Sequence, residues 1–234
     1  MPLKVLLFIV SIIVMLVYHW TALIPALTLI CKSALSTTSF AGGIAGFTIQ
    51  QAIRFGMLRS VMSSEAGLGT SGIFFGSSGS KKPMEDSLMG MLTTFISTTF
   101  GLLMGLVIVA SGAWSSGLTS TPLTIAAFQT AFGSLAIWVV TALASIFGIG
   151  LIVSYGFVAR SLWAYLTNGK CTIVGSLLYC VSAVVGTLVK PDILWLTGDI
   201  INACLILINV SALIVLSKVI RDGIAAYAAQ KAEV

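Results

Sequence analysis

Long apolar runs with few charges constrain the fold of this chain more than any other feature. They lie at about residues 4–19, 38–58, 86–112, 133–157, 172–188 and 195–217. A hydrocarbon core of ~30 Å is crossed by about 20 apolar residues as an α-helix. Unpaired backbone groups cost several kcal/mol in lipid, and the alternation typical of a membrane barrel is absent from the runs. The sequence therefore predicts an all-α integral membrane protein with about six transmembrane helices.

Composition agrees with a protein that lives mainly in the lipid bilayer. The chain has 234 residues, of which 58% are hydrophobic and only 8% are charged, whereas soluble domains are about a quarter charged. Six helices use most of this length. We therefore predict a single transmembrane domain over residues 1–234.

The basic residues indicate topology rather than a nucleic-acid partner. The net charge is +5, but the lysines and arginines are scattered between apolar runs without interleaved aromatic residues. With six alternating helices, all of them except Lys32 and Lys190 fall on the side of the N-terminus. Because basic loops stay inside, both termini are predicted to be cytoplasmic, in the cell (inner) membrane.

Catalytic chemistry has few candidates here, so the chain is not expected to be an enzyme. His19 is the single histidine and lies at a predicted membrane boundary, and the four cysteines form no CxxC pair. Five of the seven acids fall in loops or the tail, which leaves Glu65 and Asp199. Asp199 is interpreted first as a cap at the start of the last helix, and otherwise as part of a polar stripe with Asn202 and Asn209.

Two further segments are neither clear spans nor short loops. They are residues 21–35 and 123–133, and each follows a helix that leads outward. Such pieces are either interfacial amphipathic helices or re-entrant elements that cover a cavity. The sequence leaves both alternatives open.

The second run contains closely spaced glycines, with Gly42 and Gly46 forming a GxxxG pair around Gly43. One interpretation is close packing of two helices through small residues. The other is an unwound helix whose backbone groups bind a zwitterion or an ion. The residues alone leave these two equally supported.

The stretch RSVMSSEAGLGTSGIFF, residues 59–75, places Arg59 and Glu65 beside a glycine-rich run. An ionised side chain costs about 2.5–3.5 kcal/mol at the centre of a membrane helix. Both residues are therefore expected at a helix end or inside the bundle. The glycines and hydroxyls favour a cytoplasmic turn that closes over the bundle.

The same region carries a family resemblance. The segments AGGIAGFTIQQAIRFGMLRSVMSSEAGLGTSGIFF, TTFISTTFGLLMGLVIVASGAW, TIAAFQTAFG and DIINACLILINVSALIVLSKVI resemble, in this order, the C-terminal half of the sodium:alanine symporter family. The family pattern R-G-x-x-R-G-x-F-S-N-E-A-G-L-G-S corresponds to residues 55–70. The residues at the signature positions are Ser63, Ser64, Glu65, Ala66, Gly67, Leu68, Gly69 and Thr70, with Ser64 and Thr70 where the family has Asn and Ser.

The resemblance implies the second repeat of a leucine-transporter-like inverted-repeat fold. It implies substrate contacts at the opening of the broken helix, namely Gly42, Gly43, Ala45, Gly46 and Phe47. It also implies a sodium site on the helix at 133–157. The hydroxyls that the family has there are not retained near Gly148 and Ile149, so the metal ligands are unknown and the coupling ion is sodium or a proton.

The function implied is symport of a small neutral amino acid, alanine or glycine, with that cation and no other cofactor. The partners implied are the substrate, the lipid bilayer and a separately encoded N-terminal half that supplies the first repeat. The alternatives are a truncated, non-transporting remnant of such a carrier, or a helical membrane scaffold for another protein.

Overall fold

The computed structural model describes residues 2–35, 43–77, 79–80 and 82–232, and within them it contains helices and no strand. The helices are α1 (Pro2–Tyr18), α2 (Trp20–Leu35), α3 (Gly43–Ser64), α4 (Thr70–Gly76), α5 (Pro83–Ala110), α6 (Ser120–Phe132), α7 (Ala136–Leu166), α8 (Thr172–Leu188), α9 (Pro191–Val215) and α10 (Ser217–Ala232). Short 3-10 helices cover Ala113–Ser116 and Gly133–Leu135.

In the part of the chain that the structure describes, three helical stretches are long and apolar enough to cross a membrane. They are Pro83–Ala110, Ser120–Leu166 and Pro191–Val215, and a fourth arises if the bent pair α1–α2 forms one span. The predicted helical architecture is thus confirmed for the described residues, and its apolar helices are consistent with a membrane protein, whereas the number of six spans stays a prediction. Two predicted spans fall short for physical reasons: α8 has only 17 residues, and α3 carries two arginines and two glutamines.

Helix boundaries follow local chemistry more closely than the apolar runs do. The helix α9 begins at Pro191, before the predicted start at 195. Proline suits a first helical turn because its fixed φ fits the helix and its missing N–H would lack a partner there. The helix α10 is not predicted from the apolar runs, since its sequence SKVIRDGIAAYAAQKA is too polar to stand out as one.

The segment predicted at 21–35 is helical and sharply bent away from its neighbour. The axes of α1 and α2 differ by 91° across the break at His19. The His19 imidazole Nε2 lies 2.7 Å from the Thr130 hydroxyl of α6. This side-chain contact connects the bend to α6, the helix that covers most of the segment noted at 123–133.

The chain folds as two compact units. The first comprises residues 1–54 and 99–154. Its core is a cluster of buried side chains from α1, α5, α6 and α7, formed by Met15, Val107, Phe128, Ala136 and Val140. The second comprises residues 55–98 and 155–234 and holds the stretch that carries Arg59 and Glu65.

In the second unit, α8 packs closely on α7 through a glycine. Gly175 is buried, and a Cβ at this position would overlap the indole ring of Trp163. The ring is held in place, because its Nε1 donates to the Cys171 carbonyl at 3.0 Å. The contact needs a residue without a side chain.

Replacing Gly175 with alanine is expected to destabilise the protein by about 2 kcal/mol, since overpacking forces the indole to move. Gly186 lies on the same helix, and a Cβ added there would meet no atom within 4 Å. Alanine at Gly186 should stabilise slightly, because alanine favours helix more than glycine does. Unfolding in rising mole fractions of SDS, followed by circular dichroism, measures both. Equal midpoints for the two variants would contradict the packing described.

Candidate functional site

The segment Ser63–Thr70, called here the signature turn, links α3 to α4 through a backbone that enters the left-handed region. Three of its residues have positive φ: Glu65 at 54°, Gly67 at 82° and Gly69 at 83°. Glycine adopts this region without penalty, whereas other residues do so at a cost. The turn expected from the glycine-rich sequence is present, and the non-glycine residue at positive φ is its single acid.

Asn209 of α9 fastens the glycines of the signature turn. Its side-chain Nδ2 donates to the Gly67 carbonyl at 3.0 Å. Its Oδ1 lies 2.9 Å from the position that a Cβ on Gly69 would take. The amide therefore fills the space that any other residue at 69 would need, and it orients the turn from a helix 142 residues away in sequence.

Glu65 has both carboxylate oxygens engaged. The Tyr155 hydroxyl of α7 donates to Oε1 at 2.5 Å, and the Thr70 hydroxyl donates to Oε2 at 2.7 Å. Hydroxyl–carboxylate bonds of this length belong to the strong, charge-assisted class. The Phe74 ring packs edge-on against Tyr155 with 6.4 Å between centroids. The acid is thus held between the turn and α7 rather than left free.

Arg59 of α3 makes a third set of contacts around the signature turn, with two residues of α9. Its Nη2 lies 3.0 Å from the Asp199 Oδ2, and its guanidinium carbon lies 4.1 Å from the centroid of the Trp195 ring. Trp195 and Asp199 are four residues apart on α9 and so share a face. The Asp199 side chain is 12% exposed, and its Oδ1 is buried without a hydrogen-bond partner in the described part of the chain.

This pairing corrects the sequence interpretation of Asp199. Its helix starts at Pro191, so Asp199 lies more than two turns inside α9 and cannot cap it. The alternative of an inward polar stripe fits better, because Asp199 and Asn209 both reach the segment around the signature turn. The two residues are ten positions apart, which is close to three helical turns.

The contacts of Arg59, Glu65 and Asn209 explain why charged residues lie beside a glycine-rich run. Each charge of the stretch meets a partner from α7 or α9, and the glycines let the backbone come within reach of Asn209. Tyr155 and Trp195 were missed from the sequence, since a lone aromatic in an apolar helix carries no signal of its partner. The arrangement fixes the turn between α3 and α4 against α7 and α9.

Tyr155→Phe is expected to destabilise the protein by about 1.5 kcal/mol, because hydrogen bonds to charged groups contribute roughly this much. Tyr165→Phe is the matched control, since Tyr165 lies on the same helix and is 82% exposed. SDS unfolding midpoints of the two variants measure the difference. A Tyr155 variant as stable as the Tyr165 variant would show that the contact with Glu65 contributes nothing.

The predicted substrate residues lie at the start of α3. The structure gives a continuous helix from Gly43 to Ser64, which includes Gly43, Ala45, Gly46 and Phe47. Gly42 lies outside the described residues. An unwound stretch is not found within Gly43–Ser64, and the substrate contacts stay predictions.

The residues near the expected sodium site lie in α7, within the first unit. Gly148 and Ile149 are helical, and the Ile149 side chain is 64% exposed. Their neighbour Phe147 packs edge-on against Phe8 of α1, with 5.4 Å between the ring centroids. A metal role for this part of α7 stays a prediction.

Comparison with known proteins identifies the group to which these features belong. The sequence model of the sodium:alanine symporter family matches residues 1–234. An uncharacterized transporter of Haemophilus influenzae is 28% identical, over 94% of this chain and 49% of its own length. The sodium/alanine symporter AgcS of Methanococcus maripaludis is 26% identical, over 94% of this chain and 48% of its own.

The probable sodium/glutamine symporter GlnT of Bacillus subtilis is 26% identical, over 90% of this chain and 44% of its own length. The chain thus spans about half the length of these curated relatives. The family match covers the apolar helices, the signature turn and the helices that anchor it. This chain belongs to the sodium:alanine symporter family.

Proposed function

We propose that the chain forms the C-terminal half of a symporter that moves a small neutral amino acid, alanine or glycine, together with a cation. The observation that carries the proposal is the family match over residues 1–234. Relatives named as a sodium/alanine symporter and a probable sodium/glutamine symporter support an amino acid as the substrate class. In this proposal the protein lies in the cell (inner) membrane with six spans and cytoplasmic termini.

The substrate is proposed to bind at the start of α3, at Gly42, Gly43, Ala45, Gly46 and Phe47. Small residues let a ligand approach the backbone closely, and the first amides of a helix lack partners within it. The positive end of the helix dipole suits the substrate carboxylate. Half-helix ends serve substrates in this way in transporters built from inverted repeats. The second repeat of a leucine-transporter-like fold is the architecture that we propose.

The signature turn is proposed to transmit movement of α3. Arg59 and Glu65 join the C-terminal end of α3 and its turn to α9 and α7. A shift of α3 on substrate binding would then displace both helices together rather than α3 alone. Rigid rocking of one group of helices against another is the usual form of alternating access.

The coupling ion is proposed to be sodium, with a proton as the alternative. The names of the relatives favour sodium, whereas α7 offers no hydroxyl at Gly148 and Ile149. Ion and substrate that bind cooperatively must raise each other's affinity by the same factor. Replacing sodium by potassium and varying the proton gradient separately would distinguish the two ions.

The proposed second repeat needs a first repeat, which the N-terminal half of a family member can supply. The test is co-expression with the N-terminal half of the Methanococcus maripaludis symporter, followed by radiolabelled alanine uptake into membrane vesicles. The proposal expects uptake driven by an inward sodium gradient, and none with either half alone. Absence of uptake with both halves confirmed in the membrane would favour a non-transporting remnant.

Gly43→Leu separates transport from the scaffold alternative. A leucine at the proposed backbone contact should reduce alanine uptake at least tenfold, since it occupies the space of the substrate. Gly56→Leu is the control on the same helix, because a Cβ at Gly56 would meet no atom within 4 Å. A scaffold should bind its partner equally well with either substitution. Equal uptake by both variants would remove Gly43 from the substrate site.

A further inference from the structure

The first unit contains an apolar cavity, open on one side at the exposed residues Thr121 and Ala144, that the signature turn and the proposed substrate residues do not use. Its volume is about 220 Å³, and its walls come from α1, α5, α6 and α7. Apolar side chains form most of the lining, with Phe8, Phe128 and Phe147 as the largest. The two hydroxyl groups in the lining belong to Thr121 and Thr124 of α6.

The walls are held by aromatic packing, so the cavity cannot close by a small adjustment. Phe128 is 1% exposed and stacks on Phe132, with 5.8 Å between the ring centroids. Phe8 packs edge-on against both Phe100 and Phe147 at 5.4 Å. Filling the space from within would require several rings to leave their partners, which close-packed interiors resist.

The polarity of the lining selects the kind of ligand. It includes no charged side chain, and the Lys4 ammonium, 5.2 Å from the centroid of the Phe147 ring, is outside the lining. A zwitterionic amino acid would therefore give up hydration without an ionic partner within the lining. Thr121 and Thr124 are three residues apart and share a face of α6. Neither hydroxyl makes a hydrogen bond to another residue in the described part of the chain. The lining therefore offers apolar contacts to the body of a ligand and hydrogen-bonding groups at one place.

We propose that this cavity binds a small uncharged amphiphile, with an aromatic or short aliphatic body and one hydroxyl or carbonyl group. An apolar cavity of about 150 Å³ is large enough to hold benzene. The cavity of this protein has room for such a ring and one polar substituent. The body lies among the phenylalanine rings, and the polar group hydrogen-bonds to Thr124, the more buried of the two threonines. The site differs from the proposed amino-acid site in both its residues and its chemistry.

The test uses two fluorinated probes, 4-fluorobenzyl alcohol and 4-fluorotoluene, titrated into the detergent-solubilised full chain and followed by 19F NMR. The proposal expects saturable binding of both probes beyond partitioning into micelles. Ala144→Phe places a ring in the cavity and should weaken both probes at least tenfold. Ala142→Phe, on the same helix but outside the lining, should leave both unchanged.

A separate experiment tests whether the threonine hydroxyl hydrogen-bonds to the polar group of the probe. Thr124→Val should weaken the alcohol about fivefold, the effect of one lost hydrogen bond, and leave the toluene unchanged. Thr141→Val, outside the lining, is its control. Ala144→Leu replaces Ala144→Phe if the latter elutes as aggregate. Binding that is not saturable, or that survives filling at Ala144, overturns the proposal, and equal loss of both probes in Thr124→Val overturns the role of the hydroxyl.

Discussion

Alanine at Gly69 is expected to destabilise the protein by about 3 kcal/mol. Gly69 has φ +83°, a conformation that costs an L-residue about 1–2 kcal/mol. The new methyl would also lie 2.9 Å from the Asn209 Oδ1 and displace this amide from its bond to the Gly67 carbonyl. Loss of that bond adds about 1 kcal/mol. SDS unfolding of the purified chain measures the total.

Gly67→Ala is the matched control, because alanine there would have the same unfavourable φ but would not overlap the Asn209 side chain. Gly67 has φ +82°, and its added methyl would meet only the Val210 Cγ2, at 3.9 Å. It should cost about 1–2 kcal/mol. In the double variant Gly69→Ala with Asn209→Ala, the loss should be smaller than the sum by about 1 kcal/mol, as contacting residues couple. Strict additivity, or equal costs at 67 and 69, would show that Asn209 does not fasten the turn.

Arg59→Met is expected to cost about 3 kcal/mol. It leaves the Asp199 carboxylate, 12% exposed, without its cation. Breaking a buried ion pair from one side typically costs about 3–5 kcal/mol, and the 35% exposure of Arg59 places this pair at the lower end. Asp199→Asn should cost less, about 1 kcal/mol. The Arg59 guanidinium would still be partly hydrated and would keep its cation–π contact with the Trp195 ring. The SDS unfolding midpoints of these variants give both values.

Two further variants check this interpretation. Arg59→Met combined with Asp199→Leu should recover most of the loss, because an apolar pair of similar volume can replace a buried ion pair. Arg54→Met, on the same helix and exposed, should change stability by less than about 0.5 kcal/mol. If the double variant is no more stable than Arg59→Met alone, an uncompensated carboxylate is not the cause of the loss.

The sequence predicts helices well where one physical effect dominates. The predicted run 172–188 coincides with α8, because glycine and lysine before it and a proline after it interrupt an otherwise apolar stretch. The helix α10 escapes prediction, since its formation does not depend on a long apolar run. The extension of α7 to Leu166 also goes beyond the predicted end at 157. Arg160 lies in that extension, and its charge makes the apolar run appear to stop early.

The candidate site is also predictable from the sequence only in part. The turn itself follows from local chemistry, since the glycines of the signature turn permit positive φ without help from the rest of the chain. Its partners do not, because Arg59 and Asp199 are 140 residues apart, and Glu65 and Tyr155 are 90 apart. A single sequence carries no record of which helices pack together. The position of Asp199 near the start of an apolar run suggests a cap, and only the true start at Pro191 excludes it.

The most direct test of symport is equilibrium binding of radiolabelled alanine to the chain co-purified with an N-terminal half, measured as sodium is varied. Cooperative binding of alanine and a coupling ion requires that the ion raise the affinity for alanine, and that alanine raise the affinity for the ion by the same factor. We predict saturable alanine binding whose Kd falls at least fivefold between sodium-free and sodium-saturated conditions. No saturable alanine binding by a stoichiometric complex of the two halves, in sodium or at any proton concentration, would contradict the account.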